Sequence, residues 1–230
     1  MKLVIGGSTG FVGEELILQA IQNPAFTSII ALSRRETPLP PGSTKVKSVV
    51  CDDFEDYSDN VNNELKDADA CIWTIAITPS KSTTFPFEET SKISRDYATT
   101  AIRTISSLRS DQSRPFRFVY MSGHFVARSL DELAAPVRAH GLVDYTLMRG
   151  EAEVQILEFA ENSGGAVQAS VARPGMIDSP NRERREIPGV PHVELRDVAA
   201  SLLAQVVDGF EKDTLVNDDL TRIGQKALAK

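Results

Sequence analysis

The sequence predicts an α/β fold with a doubly wound, parallel sheet in three layers, and three observations predict it. The chain begins with an apolar run, Leu3-Val4-Ile5. It passes directly through the glycine-rich segment Gly7-Ser8-Thr9-Gly10-Phe11-Val12-Gly13 into residues of helical period, Val12, Leu16, Ile17, Ala20 and Ile21. Short apolar runs then alternate with helical patterns along the whole chain, the mark of βαβ units. The runs are apolar nearly throughout, as expected of strands covered on both faces.

The elements follow in order. The first helix covers about Phe11 to Gln22 and stops before the breaker pair Asn23-Pro24. Ser28 to Leu32 is the second strand, Thr37 to Gly42 a proline-rich loop, and Val46 to Cys51 the third strand, followed by Asp52-Asp53. A short helix spans Asp59 to Leu65, the fourth strand Ala70 to Ile77, and a loop Pro79 to Pro86. One long helix is predicted over Phe87 to Ser110, the fifth strand over Phe116 to Met121, and a helix over Leu142 to Asn162, closed by Gly164-Gly165. The sixth strand is Val167 to Ala172, Pro174 to Pro191 is irregular, and Leu195 to Val207 is helical. Asn217 is expected to cap a last helix, with Asp218 and Asp219 in its first turn and lysines near its end.

A length of 230 residues predicts one domain over 1–230, with a small substrate-side segment at about 174–194. The net charge of −7, with no long basic run, points to neither nucleic acid nor an anionic membrane as a partner, and none is expected. Cys51 and Cys71 fall in or beside apolar runs and read as buried, reduced thiols. No secretory leader pattern and no membrane-length apolar stretch is present, so a cytoplasmic protein is expected, a monomer or homodimer with a small-molecule substrate.

In a doubly wound sheet the ligand lies outside the carboxyl ends of the strands. Glycines there let the backbone approach a pyrophosphate, and a helix start supplies free N–H groups and positive charge. Gly7, Ser8, Thr9, Gly10, Phe11, Val12 and Gly13 are therefore the expected dinucleotide loop. The spacing is G-x-x-G-x-x-G, and the alternative is a tight strand-to-helix turn without a ligand. The second strand ends in Ser33-Arg34-Arg35, where an NAD-selective site has an acidic residue. Two guanidiniums suit a 2′-phosphate, which predicts NADP(H). Asp52 and Asp53 either meet the adenine edge or form a chain-reversing turn.

Ser122 ends the fifth strand, where a hydroxyl can bond a substrate carbonyl. Tyr145 and Arg149 stand at i and i+4 on one face of the following helix. A phenol titrates near pH 10 and needs a nearby cation to serve as acid–base at neutral pH. His124 is either an alternative acid–base at the pocket mouth or a surface histidine. Arg182 lies in the irregular segment, which either closes over an acidic substrate or is a solvated loop. His140 and His192 have no metal-ligand spacing, so no metal is expected.

Several segments carry a family resemblance: Gly7 to Gly13, Ser33-Arg34-Arg35, Asp69-Ala70-Cys71-Ile72-Trp73, Tyr120-Met121-Ser122, Arg149-Gly150-Glu151-Ala152-Glu153 and Ala172-Arg173-Pro174-Gly175. Over nearly its whole length the chain resembles a short-chain dehydrogenase/reductase of the atypical or extended kind. It is most similar to the small NAD(P)-binding proteins related to the Tat-interacting protein. The resemblance implies a Rossmann fold, a nicotinamide dinucleotide and a Ser-Tyr-Lys triad, with Ser122 and Tyr145 in the first two places. It also implies that Thr74, Ile75 and Ala76, with Ile77 and Thr78 beyond them, pass beside the nicotinamide ribose, and that Pro174, Gly175 and Met176 meet the carboxamide. Arg149 stands where the family has lysine; it keeps the charge but cannot release a proton. Three readings follow: an NADP(H)-dependent oxidoreductase on a carbonyl/alcohol pair, a cofactor-using protein of non-redox chemistry (isomerisation, dehydration, ring closure), and an NADP-sensing regulator without turnover.

Overall fold

The computed structural model describes residues 1–111 and 113–229. Its strands are β1 (Lys2–Gly6), β2 (Ser28–Ser33), β3 (Val46–Val50), β4 (Ala70–Trp73), β5 (Phe116–Met121), β6 (Val167–Arg173), β7 (Met176–Asp178), β8 (His192–Glu194) and β9 (Thr214–Val216). Its α-helices are α1 (Phe11–Gln22), α2 (Asp59–Leu65), α3 (Pro79–Ser82), α4 (Phe87–Ser91), α5 (Tyr97–Ser107), α6 (Ala135–Ala139), α7 (Val143–Glu161), α8 (Leu195–Asp208) and α9 (Asn217–Leu228). A seven-stranded parallel sheet runs in the order β3-β2-β1-β4-β5-β6-β9, and β7 pairs with β8 in a small parallel ladder of its own. This is the doubly wound, three-layer Rossmann-type α/β fold that the sequence predicts.

The period of two along each strand divides the core. Leu3 and Ile5 point to one face, where they pack with Leu16, Ile17, Val198, Leu202 and Leu220 of α1, α8 and α9. Val4 points to the other, with Val61, Leu65, Ala101, Ile105, Ala152 and Ile156 of α2, α5 and α7. Burying one such aliphatic side chain contributes about 1.5–3 kcal/mol. Strand order reverses at β1, between β2 and β4, so the ligand crevice lies beyond their carboxyl ends. No helix among the described residues is long and apolar enough to cross a membrane.

Several boundaries differ from the sequence reading. β4 ends at Trp73, paired with Gly6 and Tyr120, rather than at Ile77. The Thr74 N–H still donates to Gly6 O at 2.9 Å, but β1 turns away at Gly7 and leaves 75–77 without a ladder on that side. The predicted loop 79–86 contains the single turn α3, and α6 lies where no helix is predicted. The long helix predicted over 87–110 is α4 and α5 joined by a π-turn, Lys92–Asp96. Asn217 does not cap the last helix but begins it; Val216 holds the cap position, and its N–H donates to Asp219 Oδ2 at 3.2 Å. Lys226 lies in the last turn of α9, while Lys230 falls outside the described residues.

Candidate functional site

The glycine segment is as tight as backbone allows. Gly7 has φ +89, and a Cβ on it would lie 2.4 Å from Thr74 Oγ1. A Cβ on Gly13 would lie 2.2 Å from Gly7 O, so the first turn of α1 is pressed onto the loop. The Gly10 N-cap provides no side-chain acceptor, which leaves N–H groups of the first turn of α1 for an anion. This cradle, which side chains would fill, fits a phosphate group.

The serines of this region are braces. Ser8 is buried and its Oγ shares a hydrogen bond with Thr37 Oγ1 at 2.7 Å. Ser33 Oγ reaches the same threonine at 3.4 Å and donates to the Arg35 carbonyl. Thr74 Oγ1 donates to Gly6 O at 2.8 Å, beneath the loop. Thr9, Phe11 and Val12 are half-buried at the loop surface, as is Ala76, and Ile75 packs against the core. Arg34 and Arg35 are exposed beyond the end of β2, and neither forms an ion pair among the described residues. Asp52 and Asp53 are exposed after β3, and Asp53 Oδ1 accepts the Glu55 N–H at 2.9 Å.

On the other side of the crevice, α7 presents Tyr145, Arg149 and Glu153 at successive four-residue steps, hence on one face. Tyr145 Oη donates to Ile77 O at 2.8 Å. Burial pushes its phenol pKa up, and the Arg149 charge acts in the opposite, weaker sense. Arg149 is only 3% exposed. Its Nη2 donates to Met121 O at 2.6 Å and its Nη1 to Ser94 O at 3.2 Å, with the guanidinium 4.8 Å over the Tyr120 ring. Tyr120 Oη also donates to Ser94 O, at 2.7 Å, and Ser94 Oγ accepts the Ile77 N–H at 3.0 Å. The π-turn thus ties Tyr145 to Arg149 through Ile77 and Ser94.

Ser122 Oγ donates to Glu153 Oε1 at 2.5 Å. The Glu153 carboxylate has no solvent exposure and receives Arg128 Nε at 2.8 Å and Arg173 Nε at 2.9 Å, with a second contact from Arg173 Nη2. A carboxylate held by two guanidiniums is an acceptor only, so the Ser122 proton is committed to it. The structure therefore places Ser122 in one hydrogen-bond network, with Glu153, Arg128 and Arg173, and Tyr145 and Arg149 in another, joined through Ile77 and Ser94. Arg149, read from sequence as a cation beside the phenol, spends its donors on two backbone carbonyls.

Among the remaining expected residues, His124 is half-buried with its ring 4.8 Å from that of Phe125. Pro174 is buried after β6. The Gly175 N–H donates to Asn217 Oδ1 at 3.0 Å and the Met176 N–H to Pro191 O at 2.8 Å, so both are already satisfied. Arg182, expected beside the substrate, lies against the glycine loop, its guanidinium carbon 3.7 Å from the centre of the Phe11 ring. Glu153, Ser94 and Asn217 were not singled out from sequence as site residues. The signal for Glu153 was its step of four from Arg149; Asn217, whose Nδ2 also donates to His192 O at 3.0 Å, carried none beyond its helix start.

No family model matches the chain. A 74-residue stretch is 34% identical to leucinostatins biosynthesis cluster protein T of Purpureocillium lilacinum, covering 32% of this chain and 27% of that protein. A 132-residue stretch is 24% identical to the mitochondrial protein FMP52 of Candida albicans, covering 54% and 58%. The matches thus span less than two thirds of either curated relative. Among solved structures, MoeE5 in complex with UDP-glucuronic acid and NAD is similar with a TM-score of 0.69 at 16% identity, over 94% of this chain and 75% of that one. The dTDP-glucose 4,6-dehydratase DesIV of Streptomyces venezuelae, with NAD bound, gives 0.70 at 14% identity over 100% and 81%. The oxidoreductase ylbE of Lactococcus lactis gives 0.64 at 19% identity over 100% and 98%. At these identities the likeness establishes the shared fold.

Proposed function

We propose that this protein is an NADP(H)-dependent oxidoreductase acting on the carbonyl/alcohol group of a small organic substrate. In this reading it is of the short-chain dehydrogenase/reductase kind, of the branch related to the Tat-interacting protein, and works in the cytosol. The observation that carries the reading is the cradle at the strand-order reversal: the Gly7–Gly13 contact beneath an uncapped helix start, with Arg34 and Arg35 beside it and in no ion pair among the described residues. The NAD-bound state of MoeE5 and DesIV, which share the fold, supports it.

The first turn of α1 would hold the pyrophosphate and Arg34 with Arg35 the 2′-phosphate. Asp52, Asp53, Thr74, Ile75, Ala76, Pro174, Gly175 and Met176 border the same crevice in this reading, and His124 faces the substrate. A bound nicotinamide supplies hydride exchange at its ring. Tyr145, kept neutral by burial, holds a proton at Oη for the substrate oxygen, and it must leave Ile77 O to deliver it. Ser122 can accept a hydrogen bond from the alcohol form of that group, because its own O–H is committed to Glu153; to donate to the carbonyl form it must turn from Glu153. Arg149 fixes Met121 and Ser94, and through them Ser122 and Ile77.

That use of Arg149 favours a second reading: an NADP(H)-binding protein that performs non-redox chemistry or senses the nucleotide without turnover. Titration with NADPH and NADH, then nicotinamide absorbance with a panel of ketones, aldehydes and quinones, separates the two. The oxidoreductase is expected to bind NADPH more tightly and to turn over, with Tyr145→Phe losing about 10²–10⁴ in rate while still binding. Binding without redox change across the panel supports the second reading. Absence of binding to either nucleotide overturns both.

A further inference from the structure

We propose that Arg182 binds the pyrophosphate of the dinucleotide from across the crevice, an assignment that rests on the cofactor reading above. Residues 180–189 are all exposed, yet the base of their loop is tightly closed. β7 and β8 pair there, Asn217 bridges Gly175 N and His192 O, and His192 lies between Asp178 at 2.9 Å and Glu186 at 3.0 Å. From this fixed base the loop reaches back to the first residue of α1, where Arg182 stacks on Phe11.

The guanidinium carbon sits 3.7 Å over the ring, a contact that uses none of its N–H donors. Among the described residues no carboxylate pairs with Arg182 and its side chain donates no hydrogen bond. Its neighbour Arg184 is different, tied to Glu186 at 2.9 Å and Asp178 at 3.6 Å. A stacked guanidinium with unused donors is pre-organised for bidentate contact with a phosphate. The placement also brings positive charge to a helix start where Glu14, in the first turn of α1, is the only offsetting charge on that turn. The start of a helix carries partial positive charge, which disfavours a cation, and α1 has no side-chain cap there. A diphosphate between the Phe11–Gly13 N–H groups and Arg182 satisfies both at once. Arg182 thereby joins the cofactor rather than the substrate, and the loop that carries it closes on the nucleotide.

Calorimetric titration of the whole chain tests this with two probes: NADPH, and adenosine 2′-monophosphate, which lacks the pyrophosphate. Arg182→Ala is expected to raise the NADPH Kd about tenfold and to leave the monophosphate unchanged. Phe11→Leu, which removes the platform but no charge, is expected to weaken NADPH in the same direction by less. Arg182 is exposed, so folding is not at stake. An NADPH Kd within about twofold of wild type in Arg182→Ala overturns the assignment alone, as does equal weakening of both probes. A wild-type chain that binds no NADPH overturns the assignment together with the cofactor reading.

Discussion

Glu153→Gln is the sharpest perturbation of this site. It leaves the shape of the side chain and removes the charge that holds Ser122, Arg128 and Arg173. Breaking a buried ion pair from one side costs about 3–5 kcal/mol, because the other charge stays buried. Arg128 and Arg173 keep 26% and 18% of their side chains exposed and regain water on that part, which brings the expected loss to about 2–3 kcal/mol. For a chain of this length each kcal/mol moves the thermal midpoint by about 2–4 °C, so a fall of about 4–12 °C is expected. Circular dichroism melting of the wild type, Glu153→Gln, Ser122→Ala and the double variant measures it. Ser122→Ala alone is expected to cost about 1 kcal/mol, less in the double variant, because the lost partner is already gone. A Glu153→Gln midpoint within about 2 °C of wild type, or strict additivity of the two changes, would refute the view of Glu153 as the anchor of Ser122.

Gly150→Ala is expected to destabilise by about 1–3 kcal/mol or more in urea melts, because the new Cβ would stand 1.9 Å from Ala127 O, a backbone atom with little room to retreat. Replacing Arg34 and Arg35 together by alanine is expected to weaken NADPH binding by at least about tenfold and NADH binding little; equal losses would remove the 2′-phosphate role. Burial pushes the Cys51 thiol up to about 11, and raises Cys71, Tyr57 and Tyr120 as well. These acids hold their protons more tightly folded than unfolded, so the contribution of Cys51 is intact below the ordinary thiol range and is lost as pH rises from about 9 through about 11, with the other three following at higher pH. Melting points should fall over that window, and Cys51→Ala should make the decline shallower.

The N-terminal strand, its glycine loop and α1 were legible because three local signals agree there: an apolar run, glycines at the turn and a helical period. The sheet strands were legible for the same reason, their apolar runs being long enough to stand out. β7, β8 and β9 were not, since three residues such as Thr214-Leu215-Val216 carry no period. The π-turn was hidden because apolar spacing continues on both sides of it. β4 was read too long because Ile75 and Ile77 are apolar for packing, not for pairing. In the site, Ser122, Tyr145 and Arg149 were found by residue type and spacing. The partners of Tyr145 and Arg149 are backbone carbonyls at Ile77, Ser94 and Met121, and that of Ser122 is the Glu153 carboxylate, which sequence brings together only through the fold.

The π-turn at Lys92–Asp96 has a bearing on how this segment can change length. A π-turn fits one residue more into its rise than an α-helix would, so it is an insertion that the helix has absorbed. Deleting one residue there would restore regular winding and leave the turns on either side close to their present register. Tyr97, Ala101 and Ile105 would stay on the sheet, while the Ser94 carbonyl would be drawn into regular helical bonding and away from Tyr120 and Arg149. In homologous chains, a single gap at this point therefore marks a different way of holding the tyrosine and the arginine.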